Sequence, residues 1–329
     1  MKLRSPKNLL GVILCLLACT AGCRWNPFVR PSAYTPPPVV FQATPLRDEL
    51  IAALNGNSSR VQTMQATGSV SIPGAPSLTT EIALERPKNF RFRAGTALLG
   101  QELDLGSNSE LFWFWAQRDP TRSLYYARHE QFAGSRARQL IPIEPNWLIE
   151  ALGLVELDPQ GSIEGPTPAG QGRVQLRVRQ STPAGEVTKV MLVDSQSAII
   201  HQQQIYDPRG QLLATAKASR HQFYALDGIS LPHQIDVELP QAQMTFQVYL
   251  DEHNINRPIA GGASTFELPT AQYASSRPVD IADPAFNPPV AEGAPAATNP
   301  GTAGPATSIP PAGQQPGNAA KYRGYTPWR

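Results

Sequence analysis

A long succession of short segments in which apolar and polar residues alternate constrains the fold of this chain more than any other feature. About eleven or twelve such segments, among them NFRFRA, RVQLRVRQ and VTKVMLVD, lie between Gln65 and Glu252, and alternation with period two is typical of strands with one buried face. The joins STPAGE, YDPRGQ and ALDGIS have the length and residues of hairpin loops. Such short connections favour antiparallel pairing of neighbouring strands.

Two segments have helical rather than strand character. In TPLRDELIAALNGN, Thr44 is a candidate N-cap, Pro45 suits the first helical position and Gly56 can end the helix. One apolar stripe runs along this predicted helix, through Leu46, Leu50 and Leu54. A second helix is predicted at EPNWLIEALGL, with Pro145 near its start and Gly153 near its end.

A twisted sheet of this width tends to curl, so it can close as a barrel, split into a sandwich or remain half open. Two apolar-faced helices at separate places in the chain favour the half-open form, whose concave wall needs cover. We therefore predict a mainly β fold for residues 44–269: a single antiparallel half-open barrel of about eleven strands with two covering helices.

The N-terminus has the pattern of a secretory signal peptide, which we place at residues 1–22. Basic residues precede LLGVILCLLA, a run too short to span a bilayer comfortably. The following LLACTAGC resembles a bacterial lipobox, with Cys23 or Cys19 as the lipidated residue. Cys23 gives an apolar region of ordinary length and Cys19 has the better residue at position −3; we favour Cys23. Plain secretion and an uncleaved anchor are the alternatives.

Both ends of the folded region differ from it in composition. Residues 23–43 are rich in proline and are expected to form a stiff tether. Residues 270–329 are dominated by Pro, Ala, Gly and Thr and are predicted to be disordered. They end in KYRGYTPWR, which is either a solvated end or a short peptide for a membrane surface or a protein partner.

Several function classes find no support in the residues. A net charge of +2 without long charged runs gives no reason to expect a nucleic acid partner. All three cysteines lie in the first 23 residues, and the five histidines lack metal-ligand spacing; His201 and His221 could face each other across a hairpin. No nucleophile elbow, phosphate-binding glycine loop or paired acids for catalysis is present, so we expect no enzyme, cofactor or metal site.

The segment ALERPKNFRFRAG followed by NSELFWFWAQRDPTRSLYY resembles the Lol-type superfamily of lipoprotein carriers and receptors, which includes LolA and LolB. The resemblance consists of a strand ending in Arg-Pro, a Phe-rich strand, an aromatic strand and a Tyr-containing strand. NRPIAGGASTFELP is similar to the last turn and strand of the family. The resemblance covers about Leu46 to Pro269.

The resemblance implies an unclosed half-barrel lidded by helices, with an apolar cavity for the acyl chains of lipids or lipoproteins. It implies that Arg86 contacts the lid, although Arg86 could simply pair with Glu85 or Glu102. It makes Leu98 and Leu99 candidates for a membrane-contact loop, unless they fold into the core. The expected cavity residues are Phe90, Phe92, Phe112, Trp113, Phe114, Trp115, Trp147 and Leu148.

The stretch LFWFW (residues 111–115) lacks a polar face, so both of its faces need apolar cover; we assign Trp113 and Trp115 to the cavity wall. The favoured function is a lipid-anchored carrier or receptor of the bacterial envelope. No Asp follows either candidate cysteine, which favours the outer membrane in the enterobacterial sorting scheme, and the lipobox favours the receptor branch. The long tail departs from both branches. The alternative is a structural or sensing lipoprotein whose tail recruits a partner.

Overall fold

The computed structural model describes residues 34–132, 134–139, 146–182 and 185–286. Within them lie the strands β1 (Thr63–Ser71), β2 (Leu78–Glu85), β3 (Asn89–Thr96), β4 (Gly100–Ser107), β5 (Leu111–Ala116), β6 (Ser123–Arg128), β7 (Ser162–Gly170), β8 (Arg173–Thr182), β9 (Gly185–Asp194), β10 (Ile200–Tyr206), β11 (Leu212–Ser219), β12 (Gln222–Tyr224), β13 (Ile229–Leu231), β14 (Gln234–Leu239), β15 (Met244–Ile255) and β16 (Arg277–Asp280). The α-helices are α1 (Arg47–Ser59), α2 (His129–Phe132) and α3 (Trp147–Ala151), and the 3-10 helices are η1 (Arg136–Gln139), η2 (Pro240–Ala242) and η3 (Gly262–Phe266).

Fourteen of these strands form one sheet in the order β16-β6-β5-β4-β3-β2-β1-β15-β14-β11-β10-β9-β8-β7. All neighbours pair antiparallel except β16, which runs parallel to β6. The sheet curls but does not close, since β16 and β7 form two separate edges. The predicted half-open antiparallel barrel with covering helices is therefore confirmed. None of the helices in the described ranges has the length and apolar character to cross a membrane.

The structure has more strands than the sequence predicts. The additional ones are β7, β16 and the small separate hairpin β12–β13. β7 contains Pro166 and Pro168, which interrupt the alternation that identifies a strand and suit an edge position. The others are only three or four residues long, too short for period two to stand out.

The first helix differs in its bounds from the prediction. α1 begins at Arg47, because the Glu49 carboxylate accepts the backbone N–H of Leu46 at 2.9 Å, and it continues through Gly56 to Ser59. Its buried face, with Leu50, Ile51 and Leu54, packs on β7–β10. α3 packs at the predicted place on the middle of the sheet, against β1–β3, β11, β14 and β15. Both helices lie on the same face, which we call the inner face.

The C-terminal part of the fold extends beyond the predicted boundary at Pro269. Residues 262–276, which we call the outer segment, cross the opposite or outer face of β3–β6, and β16 then pairs with β6. Tyr273 and Ile281 are buried. The expectation that disorder begins at Thr270 is thus corrected up to residue 286. The remainder of the tail lies outside the described residues.

Candidate functional site

The inner face of β1–β6 is an apolar floor built from strand register. Leu84 pairs with Phe90, Phe92 with Leu105, and Leu105 with Phe114, so these side chains share one face. Phe112 extends the same face and meets Phe132 of α2 edge to face, with ring centroids 4.8 Å apart. The structure therefore brings the four expected phenylalanines (Phe90, Phe92, Phe112 and Phe114) to the inner face.

Trp113 and Trp115 lie on the outer face, contrary to the assignment made from the sequence. Trp113 is 1% exposed and covers Gly106, where an added Cβ would lie 1.9 Å from the indole Cζ2. Its Nε1 donates to Asp104 at 3.3 Å. Trp115 stacks on Tyr273 of the outer segment with ring centroids 4.1 Å apart. Both tryptophans hold the outer segment and take no part in the inner face.

A buried polar network fixes the outer segment in place. Arg91 and Asp104 form an ion pair at 2.6 Å, and the Tyr273 hydroxyl donates to Asp104 at 2.7 Å. Arg91 also donates to the carbonyl of Thr265 at 3.0 Å. Burial, followed by the negative charge of Asp104, raises the pKa of Tyr273. The outer face is therefore closed by specific polar contacts.

Part of the inner face is only partly buried. We call this part the inner strip; it consists of Leu103, Leu105, Phe114, Tyr125 and Leu148. Phe114 and Tyr125 stack across β5 and β6, with ring centroids 6.3 Å apart. Leu148 of α3 lies in the described part of the cover over the sheet, together with the fully buried Trp147. The strip is an apolar surface on the same face as the covering helices.

Besides α1, the described part of the cover over the inner face is α3 and the chain that follows it, residues 147–157, which we call the cover segment. At its α3 end, Glu150 receives both hydrogen bonds of Lys189 on β9, at 2.7 and 2.8 Å. Gln203 on β10 is buried and donates to the carbonyl of Glu150 at 2.7 Å. The cover segment is thus joined to the sheet by polar contacts in an apolar setting.

Arg86 follows β2, in the other half of the sheet from β9 and β10, and contacts the same cover segment. Its Nη1 forms an ion pair with Glu156, and its side chain is only 11% exposed. Neither Glu85 nor Glu102 is its partner; they contact Asn89 and Arg118. Two further nitrogens of Arg86, Nε and Nη2, are buried without a hydrogen-bond acceptor among the described residues. The indole nitrogen of Trp147 is likewise buried without a hydrogen-bond acceptor among the described residues.

Two asparagines of α1 bind neighbouring segments by their side-chain amides. Asn55 donates to the carbonyl of Leu157 at 2.7 Å and accepts its N–H at 2.8 Å. Asn57 makes the same pair of contacts with Ser230 of β13, at 3.1 and 2.8 Å. The end of the cover segment is therefore fixed to α1.

Two cavities of the described residues are unsuited to an acyl chain, one by its size and the other by its polar lining. The cavity beside α1, lined by Leu54, His221 and Pro232 among others, has about 10 Å³, room for roughly one water. A cavity of about 490 Å³ lies on the outer face of β8–β10 and has a polar lining that includes Gln175, Arg177 and Tyr206. The space beneath the cover segment is packed, so an acyl chain could enter there only if that segment moved.

Leu98 and Leu99 lie in the β3–β4 hairpin and are 91% and 57% exposed. The N–H of Leu99 donates to Thr96 Oγ1 at 3.0 Å, which shapes the turn. Met244, at the β14–β15 turn, is exposed on the same rim of the sheet. These side chains are not folded into the core.

Two pairs of histidines are partly or fully buried near β12 and β13. His201 and His221 face each other as expected, with ring centroids 5.6 Å apart. The Tyr224 hydroxyl lies 2.9 Å from both His233 Nε2 and His253 Nδ1. Burial lowers the pKa of His221 to about 4 and that of His253 to about 3. In the described ranges, no group of three or more potential ligands is placed to hold a metal ion.

Sequence reasoning missed the polar contacts of the cover segment. Lys189 lies on the same face of β9 as Val187, Met191 and Val193, so a charged residue occupies a position that the alternation makes apolar. That irregularity was a usable signal for a buried partner. Glu150 and Glu156 gave no such signal. The candidate lipid sites Cys23 and Cys19, and the terminal KYRGYTPWR, lie outside the described residues.

No protein-family model and no curated protein matches the chain. Solved structures similar to it include a DUF1329 family protein from Desulfovibrio piger (12% identity, 67% of this chain and 97% of that one, TM-score 0.41). A putative outer membrane lipoprotein-sorting protein domain from Vibrio parahaemolyticus is similar at 9% identity, over 66% and 95% of the two chains, with TM-score 0.39. A LolA superfamily protein from Nitrosomonas europaea is similar at 9% identity, over 66% and 97%, with TM-score 0.41.

Proposed function

We propose that this protein binds the acyl chains of lipids or lipoproteins on its inner face and is held in the bacterial envelope by an N-terminal lipid on Cys23, or alternatively on Cys19. The observation that carries the proposal is the inner strip, a partly exposed apolar surface on the face that the cover segment closes through a few polar contacts. An outer-membrane location is part of the proposal.

Binding requires the cover segment to move, and burial of the ligand can supply the free energy. Each CH₂ group removed from water contributes about 0.8 kcal/mol, so a few acyl chains provide many kcal/mol. The contacts opposing this are two ion pairs, the amide contacts of Gln203 and Asn55, and the apolar packing of α3. In this proposal Arg86 is the lid contact, and the N–H groups of its two unpartnered nitrogens, Nε and Nη2, can bind an acceptor on the ligand or on a moved cover.

The proposal assigns Leu98 and Leu99 to contact with a lipid surface during transfer. Exposed leucines at a hairpin tip can insert into the interfacial region of a bilayer, and their burial there is favourable. Transfer itself needs no chemistry, only comparable affinity on both sides and a cover that opens.

The test is to purify the full chain from an envelope fraction, extract it with organic solvent and analyse the extract by mass spectrometry, and to titrate the delipidated protein with a fluorescent fatty acid. We expect lipid to co-purify with the protein and the fatty acid to bind saturably to a single class of sites. A variant that exchanges an inner-strip residue, Leu105→Gln, should weaken binding, while Leu192→Gln on the outer face is the matched control. Absence of both extracted lipid and saturable binding would reject the proposal.

A second candidate function is favoured by the closed packing beneath the described part of the cover. There the cavity of about 10 Å³ is what a packed scaffold would have. In that case the chain is a structural or sensing lipoprotein whose tail recruits a protein partner. Deleting residues 287–329 should then abolish the cellular phenotype, whereas a lipid carrier should largely tolerate the loss.

A further inference from the structure

The open sheet has two rims, defined by the ends of its central strands. The N-terminal rim carries Thr63, Glu85 and Asn89, which follow one another across β1, β2 and β3. The opposite rim, which we call the Leu98 rim, carries the β3–β4 hairpin and the β14–β15 turn. β3 is eight residues long, so the rims are about 26 Å apart along this strand.

The chain enters the fold at the N-terminal rim. The carbonyl of Thr35 accepts the N–H of Phe223 on β12 at 2.8 Å. The tip of the β12–β13 hairpin, residues 225–228, lies at the same rim, because Arg60 Nη1 donates to the carbonyl of Gly228 at 2.8 Å. Asn256, which follows β15, also contacts Asp227 at 3.5 Å.

Exposed apolar side chains occur at both rims. At the N-terminal rim, Leu226 is 95% exposed at the hairpin tip, and Tyr34 immediately precedes Thr35 and is also exposed. At the Leu98 rim, the exposed apolar residues are Leu98, Leu99 and Met244. The tip is fixed by hydrogen bonds, yet its leucine is almost fully exposed. Such a side chain is suited to contact with another molecule or a membrane.

Charge at the N-terminal rim suits an anionic lipid surface. Arg60 and Arg257 are exposed beside the hairpin tip, and Lys88 lies in the β2–β3 turn of the same rim. Asp227 and Glu85 lie at the same rim and keep their charge beside Asn256 and Asn89, so these five side chains carry a net charge of +1 (3 − 2). Basic residues close to an anionic leaflet are attracted to it.

The length of the N-terminal chain favours the same orientation. Eleven peptide bonds separate Cys23 from Tyr34. A fully stretched chain of that length spans at most about 36 Å. The Leu98 rim lies about 26 Å further from the entry of the chain along β3, so it would use most of that length to reach the membrane that holds Cys23, whereas the N-terminal rim uses less of it.

We propose that the β12–β13 tip, with Leu226 in the interfacial region and Arg60 and Arg257 on anionic headgroups, rests on the membrane that holds the N-terminal lipid. The Leu98 rim then points away from that membrane, toward a second lipid surface or a lipid-bearing partner. This orientation rests on the lipid anchor of the proposed function and adds the surface on which the anchored protein sits.

The experiment uses the full acylated chain in vesicles of phosphatidylethanolamine and phosphatidylglycerol, at low protein density. A fluorophore is attached to Leu226→Cys, with Leu98→Cys as the matched exposed leucine of the opposite rim. With the proposed lipidation at Cys23, cleavage removes Cys15 and Cys19 and acylation blocks Cys23, so the labelling site is unique. Lipids brominated in the acyl chains quench a fluorophore that enters the bilayer.

We expect several-fold stronger quenching of the label at position 226 than of the label at position 98. Equal quenching at both positions, or stronger quenching at 98, overturns the orientation. Flotation of the protein with the vesicles reports the anchor separately, and fatty-acid titration reports the inner face. A chain that floats and binds fatty acid but shows the reverse quenching pattern therefore rejects only this inference, and a chain that does not float rejects the anchor and the orientation together.

Discussion

Nζ of Lys189 lies 2.7 and 2.8 Å from the two carboxylate oxygens of Glu150, and this pair joins the middle of β9 to α3. The side chains are 16% and 11% exposed, so the pair is largely removed from water. A buried ion pair of this kind adds little stability over a well-packed apolar pair. Removing one partner is strongly destabilising, because it leaves a buried charge without its counter-charge. The pair therefore fixes where the cover segment sits on the sheet.

Lys189→Met should destabilise the protein, because it keeps most of the stem and leaves the Glu150 carboxylate buried without its cation. We expect a loss of about 3 kcal/mol in the free energy of unfolding, measured by urea denaturation. The double variant Lys189→Met/Glu150→Leu should recover much of that loss. The exposed Lys88→Met is the matched control, and a single variant as stable as this control would contradict the prediction.

Buried histidines predict a loss of stability in mild acid. Burial lowers the pKa of His221 to about 4 and that of His253 to about 3, whereas an unfolded chain titrates near 6.5. The unfolded state therefore binds more protons below pH 6.5, and stability falls as the pH drops from about 6.5 toward the folded pKa values. At 1.36 kcal/mol per pKa unit, His221 alone accounts for about 3 kcal/mol over its full range.

Urea denaturation between pH 6.5 and pH 5 tests this, since carboxylates contribute mainly below that window. We expect the slope of stability against pH to be smaller in His221→Gln and His253→Gln than in the unchanged protein. His129→Gln, whose ring contacts Ser107 and Asn108, serves as the control. An unchanged slope in both test variants would refute this account.

The strands and the half-open form could be predicted because each depends on local pattern. Alternation identifies β3 and β8 directly, and two amphipathic helices require a face to cover. Edge strand β7 could not be predicted, since Pro166 and Pro168 interrupt its pattern. Strand β16 could not be predicted either. Its four residues lie in a segment with the composition of a linker, and they form a strand by pairing with β6.

The faces of β5 could not be assigned from LFWFW because neither set of residues is polar. The deciding partners are distant in sequence or small: Gly106 leaves the space that Trp113 fills, and Tyr273 covers Trp115. Register across β4 and β5 selects these neighbours, and register is not visible in the alternation of one strand. The polar contacts of the cover segment depend on tertiary packing in the same way.

Charged substitutions in the β3–β4 hairpin should separate lipid transfer from folding. Leu98→Glu and Leu99→Glu alter exposed side chains, so the free energy of unfolding should change by no more than about 0.5 kcal/mol. Transfer of a fluorescent lipid to acceptor vesicles should slow, because a carboxylate resists entry into the bilayer interface. Gln117→Glu, exposed just after β5, is the control. Unaltered transfer in both leucine variants would remove this hairpin from the proposed mechanism.

Phe114 and Trp113 are neighbours in sequence on opposite faces of β5, and alanine at each should give different results. Phe114→Ala removes part of the inner strip and should weaken fatty-acid binding several-fold, with a modest loss of stability because Phe114 is only partly buried. Trp113→Ala opens a cavity over Gly106 and deletes a donor to Asp104, so it should cost about 3–5 kcal/mol in the free energy of unfolding. Binding by the fraction that remains folded should change little. Fatty-acid titration measures binding, and urea denaturation measures stability, in both variants. If Trp113→Ala binds fatty acid more weakly than Phe114→Ala at equal concentration of folded protein, the lipid belongs to the outer face instead.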